Sequence, residues 1–556
     1  MKQLRFALLA LVGSAGFISA SLAQIVEQPV PGDPVVTDGG RLAGKLLPSG
    51  VRVYFGVPFA APPVRELRWR EPQPVKPWQG VFNADRFAPE CIQILRPHNI
   101  NHYFGEEATS EDCLYLNLWA PPPPGSEKGN AKLPVLVWIY GGGFSIGSAS
   151  MPNYQGEHLA QKGVIYVSIA YRVGGFGFMA HPQLTAESPN RASGNYGHLD
   201  QVAALQWIQR NIARFGGDPQ RVIVMGQSAG ASSVFSLQAS PLARGLFQGI
   251  VGMSGGGLRT DADPASLSEA EQSGLELQKV MKVGSLADLR NIPADRLLAA
   301  QAEFQLGGTA GTVRFRPNVD GYFFTHTPRE TFAAGNQNDV PIVVGFTRDE
   351  SSNELRTAQS VQEYKDAAQK YFADKAAEFL RLYPASTDAD VRVLGAQAAR
   401  DGGMATSTHS WALAQVATGK SPAYVYMYAH PHPYTPGVTF ADQNPATAGA
   451  YHSSEVPYFL LNQDAYNSLR QTRNWTAFDR DLADRMSNAL IAFAQTGKPD
   501  TAAMRWPQFT RSSEKLIELT EPVRVATFDT KRMAFFATVN SPGAVGPAAA
   551  PRMPRD

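Results

Sequence analysis

The chain has 556 residues, 44% of them hydrophobic and 18% charged, with 50 basic against 49 acidic side chains. That balance gives no electrostatic basis for binding nucleic acid or an anionic membrane, and the composition is that of a globular protein. The 50 glycines and 41 prolines are scattered without a period, which excludes collagenous and solenoid architectures.

In chain order, the first feature is Met1 to Ala23. Lys2 and Arg5 precede an apolar stretch from Phe6 to Ala20, and Ser21-Leu22-Ala23 has the small-x-small form of a cleavage site. This is the pattern of a secretory signal peptide. The run is shorter than the roughly 20 residues that span a bilayer, and no later apolar segment is long enough either, so stable membrane insertion is not expected. Cleavage after Ala23 would give a secreted or periplasmic chain with a net charge near −1.

Residues 24 to 45 read as loop and edge strand, and Val51 to Phe55 alternates as a strand. The two cysteines are Cys91 and Cys113. In an exported protein an even pair is most simply a disulfide, and two thiols with no spaced histidines nearby do not make a structural zinc site. Pro121 to Pro124 must be a stiff surface excursion, since four prolines cannot enter a central sheet. Leu133 to Tyr140, Val164 to Ala170, Arg221 to Met225, Pro341 to Gly345 and Ala423 to Met427 read as buried strands. Asp200 to Phe215 and Asp479 to Gln495 read as helices. Strands alternating with helices imply an α/β fold, with a large, mostly parallel sheet covered on both faces. One domain is expected over residues 24–540, followed by a disordered tail, Ser541 to Asp556, rich in proline, glycine and alanine.

The chemistry starts where Val222 to Met225 feeds into Gly226-Gln227-Ser228-Ala229-Gly230. A Gly-x-Ser-x-Gly segment between a buried strand and a helix is a nucleophile elbow, which holds its serine on a sharp turn. The two glycines leave room for close backbone approach. A serine hydroxyl is a weak nucleophile until a base takes its proton and a third group orients that base. In α/β-hydrolases these follow in the order serine, acid, histidine. Of the ten histidines, His409, His430, His432 and His452 lie far enough downstream. His430 and His432, in a proline-interrupted segment, read as surface residues; the histidine candidate is His452, in Gly449-Ala450-Tyr451-His452-Ser453-Ser454-Glu455. The acid candidates are Asp349 and Glu350, just past the strand Pro341 to Gly345, at the sheet edge where α/β ligand sites form. Upstream, the strand ending at Tyr140 runs into Gly141-Gly142-Gly143-Phe144. Successive glycines let the backbone curl so that N–H groups converge on one spot, as an oxyanion hole requires.

With these residues in place the chain resembles the type-B carboxylesterases, the family of cholinesterases and bacterial para-nitrobenzyl esterases. The resemblance runs from about Phe55 to Phe509 and includes the blocks Phe55-Gly56-Val57-Pro58-Phe59-Ala60, Ser110-Glu111-Asp112-Cys113-Leu114 and Gly194-Asn195-Tyr196-Gly197-His198-Leu199-Asp200-Gln201. It implies an α/β-hydrolase fold with Ser228 as nucleophile, Glu350 as acid and His452 as base. Gly142, Gly143 and Ala229 would supply the oxyanion N–H groups. It also implies a Cys91–Cys113 disulfide, buried ion pairs Arg68–Glu111 and Arg172–Asp200, and an acyl pocket around Phe315, with Arg314 and Arg316 facing either solvent or a carboxylate-bearing acyl group.

Two departures bear on substrate. Cholinesterases carry glutamate where this chain has Gln227, and a tryptophan inside the first disulfide loop that receives a quaternary ammonium. Cys91 to Cys113 contains no tryptophan. The expectation is an exported serine esterase acting on a small-molecule carboxylic ester through an acyl-enzyme, with no metal or organic cofactor. A lipase and a catalytically inactive binding protein of the same family are the alternatives.

Overall fold

The computed structural model describes residues 28–105, 108–122, 132–258, 263–305 and 315–539. The expected signal peptide, the tail from Ser541 and most of the proline run's far end lie outside these residues.

A 13-stranded sheet runs through the molecule. Its main strands are β1 (Arg52–Pro58), β2 (Tyr115–Ala120), β3 (Leu133–Ile139), β4 (Ile165–Ile169), β5 (Gly217–Gln227), β6 (Gly249–Met253), β7 (Ile342–Thr347), β8 (Ala423–Tyr428), β9 (Lys515–Leu519) and β10 (Arg524–Thr527). They lie in the order β1-β2-β4-β3-β5-β6-β7-β8-β9-β10. From β4 to β9 every neighbouring pair is parallel, while β1, β2 and β10 pair antiparallel at the flanks. The apolar runs legible in the sequence are these central strands. Every residue of β4, β6, β7 and β8 is buried, as a parallel sheet covered by helices demands.

The helices that bear on the site are α1 (Tyr196–Asn211), α2 (Ala229–Ala239), α3 (Val361–Phe372), α4 (Ala376–Leu382), α5 (Asp388–Arg400), α6 (Thr406–Thr418), α7 (Ala477–Thr496) and α8 (Thr530–Ala537). Helix α1 starts four residues before the expected Asp200, and its expected last turn is a 3-10 helix, Ile212–Phe215, ended by Gly216 at φ 96°. A left-handed glycine is the usual stop for such a turn. Helix α2 packs on β5 and β6, and α7 on β3 and β5.

Two apolar clusters result. The main core follows the sheet. A second one is built from the helical stretch around α3, α4 and α5, with Leu355, Tyr364, Phe372, Phe379, Tyr383 and Val391. Phe535 and Phe536 of α8 close it.

Candidate active site

The parallel strands deliver the site at their carboxyl ends, where α/β folds place ligands. Ser228 follows β5 directly, in strained backbone at φ 59° and ψ −122°. The strain persists because the surroundings allow nothing larger. A Cβ on Gly230 would lie 2.0 Å from the Ile139 carbonyl oxygen, and one on Gly226 would lie 2.5 Å from the Gly230 carbonyl. The Ser228 N–H donates to the Met253 carbonyl at 2.8 Å, tying the elbow to β6. Ser228 itself is half-buried, so its hydroxyl is both positioned and reachable.

Beside it, the glycine turn after β3 curls as expected. Gly142, Gly143 and Phe144 have φ of 107°, 63° and 62°, and the Ser145 and Ile146 N–H groups both donate to the Gly142 carbonyl at 3.1 Å. Among the described residues, the N–H groups of Gly142, Gly143 and Ala229 take no acceptor from the fold. Ala229 opens α2, whose N-terminal field favours negative charge at the same place.

Acid and base arrive from two separate loops. Glu350 stands three residues past β7, and its Oε1 accepts from the Thr347 N–H at 2.9 Å. Its Oε2 lies 2.5 Å from His452 Nδ1. The carboxylate is 2% exposed and the imidazole 29%, so the acid sits behind the ring and the ring edge faces the cleft. An acceptor at Nδ1 fixes the proton there and leaves Nε2 as a lone pair, the tautomer a general base needs. Burial opposes protonation of His452, but the Glu350 hydrogen bond and charge prevail and raise its pKa above the usual 6.5.

The Nε2 lone pair is occupied by the Gln227 amide nitrogen, 3.0 Å away. Among the described residues, no hydrogen bond joins Ser228 Oγ to the ring. Catalytic hydrogen bonds are often loose in a ligand-free enzyme and tighten on binding. Gln227 is 3% exposed.

Asp349, the other acid candidate, points away from the histidine. Its Oδ2 accepts from the Ala450 N–H at 2.9 Å, its own N–H donates to the Ala450 carbonyl at 2.9 Å, and Arg348 and Arg356 pair with its carboxylate. It therefore staples the histidine loop to the acid loop. Glu455, which no local signal singles out, lies fully buried beside the pair. It accepts from Ser254 Oγ at 3.2 Å and from the Tyr426 hydroxyl at 3.4 Å. Burial first, then the charge of Glu350, pushes its carboxyl up to about 7.

His432 requires a correction. It is 4% exposed, not a surface residue. Its Nε2 donates to the Ser454 carbonyl at 2.7 Å, and Tyr434, Tyr451, Tyr458, Tyr466 and Trp475 enclose it. Those rings come from more than 40 residues of chain, a convergence that local proline content does not reveal. His430 is also engaged, with Asp479 at 2.9 Å.

Phe315 is buried in the main core and Arg316 is exposed; Arg314 lies outside the described residues. The segment after Phe315 reaches the glycine turn through His198, whose ring stacks on Phe323 and meets Phe144 edge-on. His198 Nδ1 lies 3.2 Å from Gln201 Oε1 and its Nε2 has no partner among the described residues. The expected structural pairs are present. Arg68 meets Glu111 with two contacts of 2.6 Å, Arg172 meets Asp200 at 2.8 and 2.7 Å, and Cys91 is bonded to Cys113.

Among the described residues, no group of three or more His, Cys, Asp or Glu side chains could hold a metal ion, and no helix is long and apolar enough to cross a membrane.

Comparison with known proteins agrees with this geometry. The sequence model of the Carboxylesterase family matches residues 32–536. A fumonisin B1 esterase from Sphingopyxis macrogoltabida is 38% identical over 488 residues, 86% of this chain and 85% of that protein. The para-nitrobenzyl esterase of Bacillus subtilis is 33% identical, covering 88% and 95% of the two chains. An acetylcholinesterase from Bungarus fasciatus is 32% identical over 88% and 83%. A solved para-nitrobenzyl esterase structure superposes with a TM-score of 0.74 at 29% identity, covering 92% of this chain and 99% of the other.

Proposed function

The chain belongs to the carboxylesterase family and is a carboxylic ester hydrolase, and from that premise we propose that it works as a serine esterase through an acyl-enzyme, with Ser228 as nucleophile, His452 as base and Glu350 as acid. The observation that carries this reading is the 2.5 Å contact from Glu350 Oε2 to His452 Nδ1, opposite a serine held on a strained elbow. In the first half-reaction the Ser228 hydroxyl displaces the Gln227 amide from Nε2, transfers its proton to His452 and attacks the ester carbonyl. Glu350 stabilises the imidazolium. The N–H groups of Gly142, Gly143 and Ala229 receive the oxyanion, each such donor being worth roughly 3 kcal/mol in related sites. The protonated His452 then delivers its proton to the departing alkoxide. In the second half-reaction it activates water, which releases the acid. An organophosphate should label Ser228, located by peptide mass, and abolish hydrolysis of a para-nitrophenyl ester. Labelling at another serine would discard the assignment.

The same reading places neutral esters ahead of choline esters. Gln227 puts an amide where the cholinesterases carry a carboxylate, and the segment Cys91 to Cys113 contains no tryptophan to receive a cation. A quaternary ammonium would find no counter-charge there. Choline and ethyl esters of one acid, compared by kcat/KM, test this; a choline ester that wins would overturn it. Export completes the proposal, supported by the Cys91–Cys113 bond, and the amino terminus of the mature protein, found by sequencing, should be Gln24.

A further inference from the structure

The loop closed by Cys91 and Cys113 carries a side chain that reaches the histidine segment. A hydrogen-bonded chain leads there. Arg473 Nη2 donates to Asn101 Oδ1 at 2.5 Å, which leaves the Asn101 amide nitrogen, 3.4 Å from His102 Nδ1, to act as donor. With Nδ1 accepting, the His102 proton is on Nε2, which lies 2.7 Å from Ser453 Oγ. The Ser453 hydroxyl can then donate only onward, and it does so to the carbonyl of His452. Because a guanidinium can only donate, it sets the role of each group after it, so the direction of each bond is determined.

Ser453 is the residue that needs such support. Its φ is 74°, the left-handed region that a serine rarely adopts. That turn follows His452 immediately and sets the direction in which the ring leaves the backbone. The Val456 N–H closes the same turn onto the Ser453 carbonyl at 3.2 Å. His102 is itself fixed from behind. The Asn101 N–H donates to Asp442 at 2.9 Å, and the Arg473 guanidinium packs over the Tyr434 ring at 4.0 Å. Burial first, and then the Arg473 charge, depress the pKa of His102 to about 3, so the ring stays neutral and its single proton stays committed to Ser453.

We infer that His102 is a positioning residue for the base: from the disulfide loop it holds the left-handed Ser453 turn that aims His452 at Ser228. This inference rests on the reading of His452 as general base. It assigns the disulfide loop a part in turnover that the covalent bond alone does not explain.

The test uses the full-length enzyme and para-nitrophenyl acetate, with sites counted by organophosphate titration. His102→Leu removes the donor at similar volume, and kcat per titrated site should fall about tenfold, the scale of one net hydrogen bond, with KM changed less than about twofold. His102→Gln restores an N–H at the same reach and should recover most of kcat. In a Ser453→Ala background, His102→Leu should have no further effect, because the two residues act as one unit. Full kcat in His102→Leu, no rescue by glutamine, or a multiplicative loss in the double variant would each overturn the inference. If Ser228→Ala kept its activity, the triad reading would fall instead, so the two failures are distinguishable.

Discussion

The two halves of the site are held by different forces. The nucleophile half, Ser228 with the glycine turn, hangs from β3, β5 and β6, where a main-chain hydrogen bond to β6 and a lack of space at Gly226 and Gly230 fix the elbow. The base half, Glu350 and His452 with the loop at 449–455, is held largely by side chains, those of Asp349, His102 and Arg473, reaching across from segments far apart in sequence. The elbow is held by main chain packed against main chain, the base half by side chains that meet across loops. Substitutions should therefore fail differently in the two halves.

The largest expected effects fall on the proposed triad. Ser228→Ala should lower kcat/KM by on the order of 10⁴-fold or more and leave the thermal midpoint nearly unchanged. Next is Glu350→Gln, which keeps shape but loses the charge behind the imidazole, and kcat should fall by on the order of 10³- to 10⁴-fold. Asp349→Asn retains an acceptor for the Ala450 N–H and should change kcat little while costing about 1 kcal/mol in stability. Reversed ranks for these two variants in steady-state kinetics would exchange the roles of the neighbours.

Within the nucleophile half, stability tests the steric account. Gly230→Ala drives a Cβ to 2.0 Å from the Ile139 carbonyl oxygen, main chain against main chain, and should cost about 3 kcal/mol or more. At Gly143 a Cβ meets nothing within 4 Å and only φ 63° resists it, so Gly143→Ala should cost about 1 kcal/mol. Denaturant midpoints read both, and equal losses would contradict the steric account of the elbow.

Two pH effects are smaller. As the proposed base, His452 must be neutral, and its pKa is raised, so kcat/KM should fall on acidification with an inflection above pH 6.5, and Glu350→Gln should move that inflection down. Glu455 acts on stability. Its folded pKa of about 7 exceeds the ordinary value of 4.5, so between those pH values the folded state binds more protons and loses stability as pH rises. Melting of Glu455→Gln against the parent at pH 4.5 and pH 8 should show the variant gaining at the higher pH. A difference independent of pH would mean Glu455 is ionised in both states.

Legibility in the sequence follows the same division. Local signals revealed the elbow, the glycine turn and the central strands, because a β-branched run ending in Gly-x-Ser-x-Gly states its geometry within a few residues. Glu350 against Asp349 was undecided by position alone, since neighbours on a loop face opposite ways and only the resemblance chose. The surface expectation for His432 fails, and nothing local marks Glu455 or His102. What makes each of them matter is a partner far off in the sequence, such as Ser254 for Glu455 or Ser453 for His102, and no local period encodes such a meeting.

The second apolar cluster has a consequence for how the protein is made. Its body, residues 355–398, is complete when more than a hundred residues remain to be synthesised, yet Phe535 and Phe536 that close it are near the end of the described chain. Arg532 seals the seam by packing over the Tyr383 ring at 4.1 Å. During synthesis the helical unit must therefore wait with its apolar face open, a natural target for chaperones. Completion of this unit thus waits on synthesis of α8.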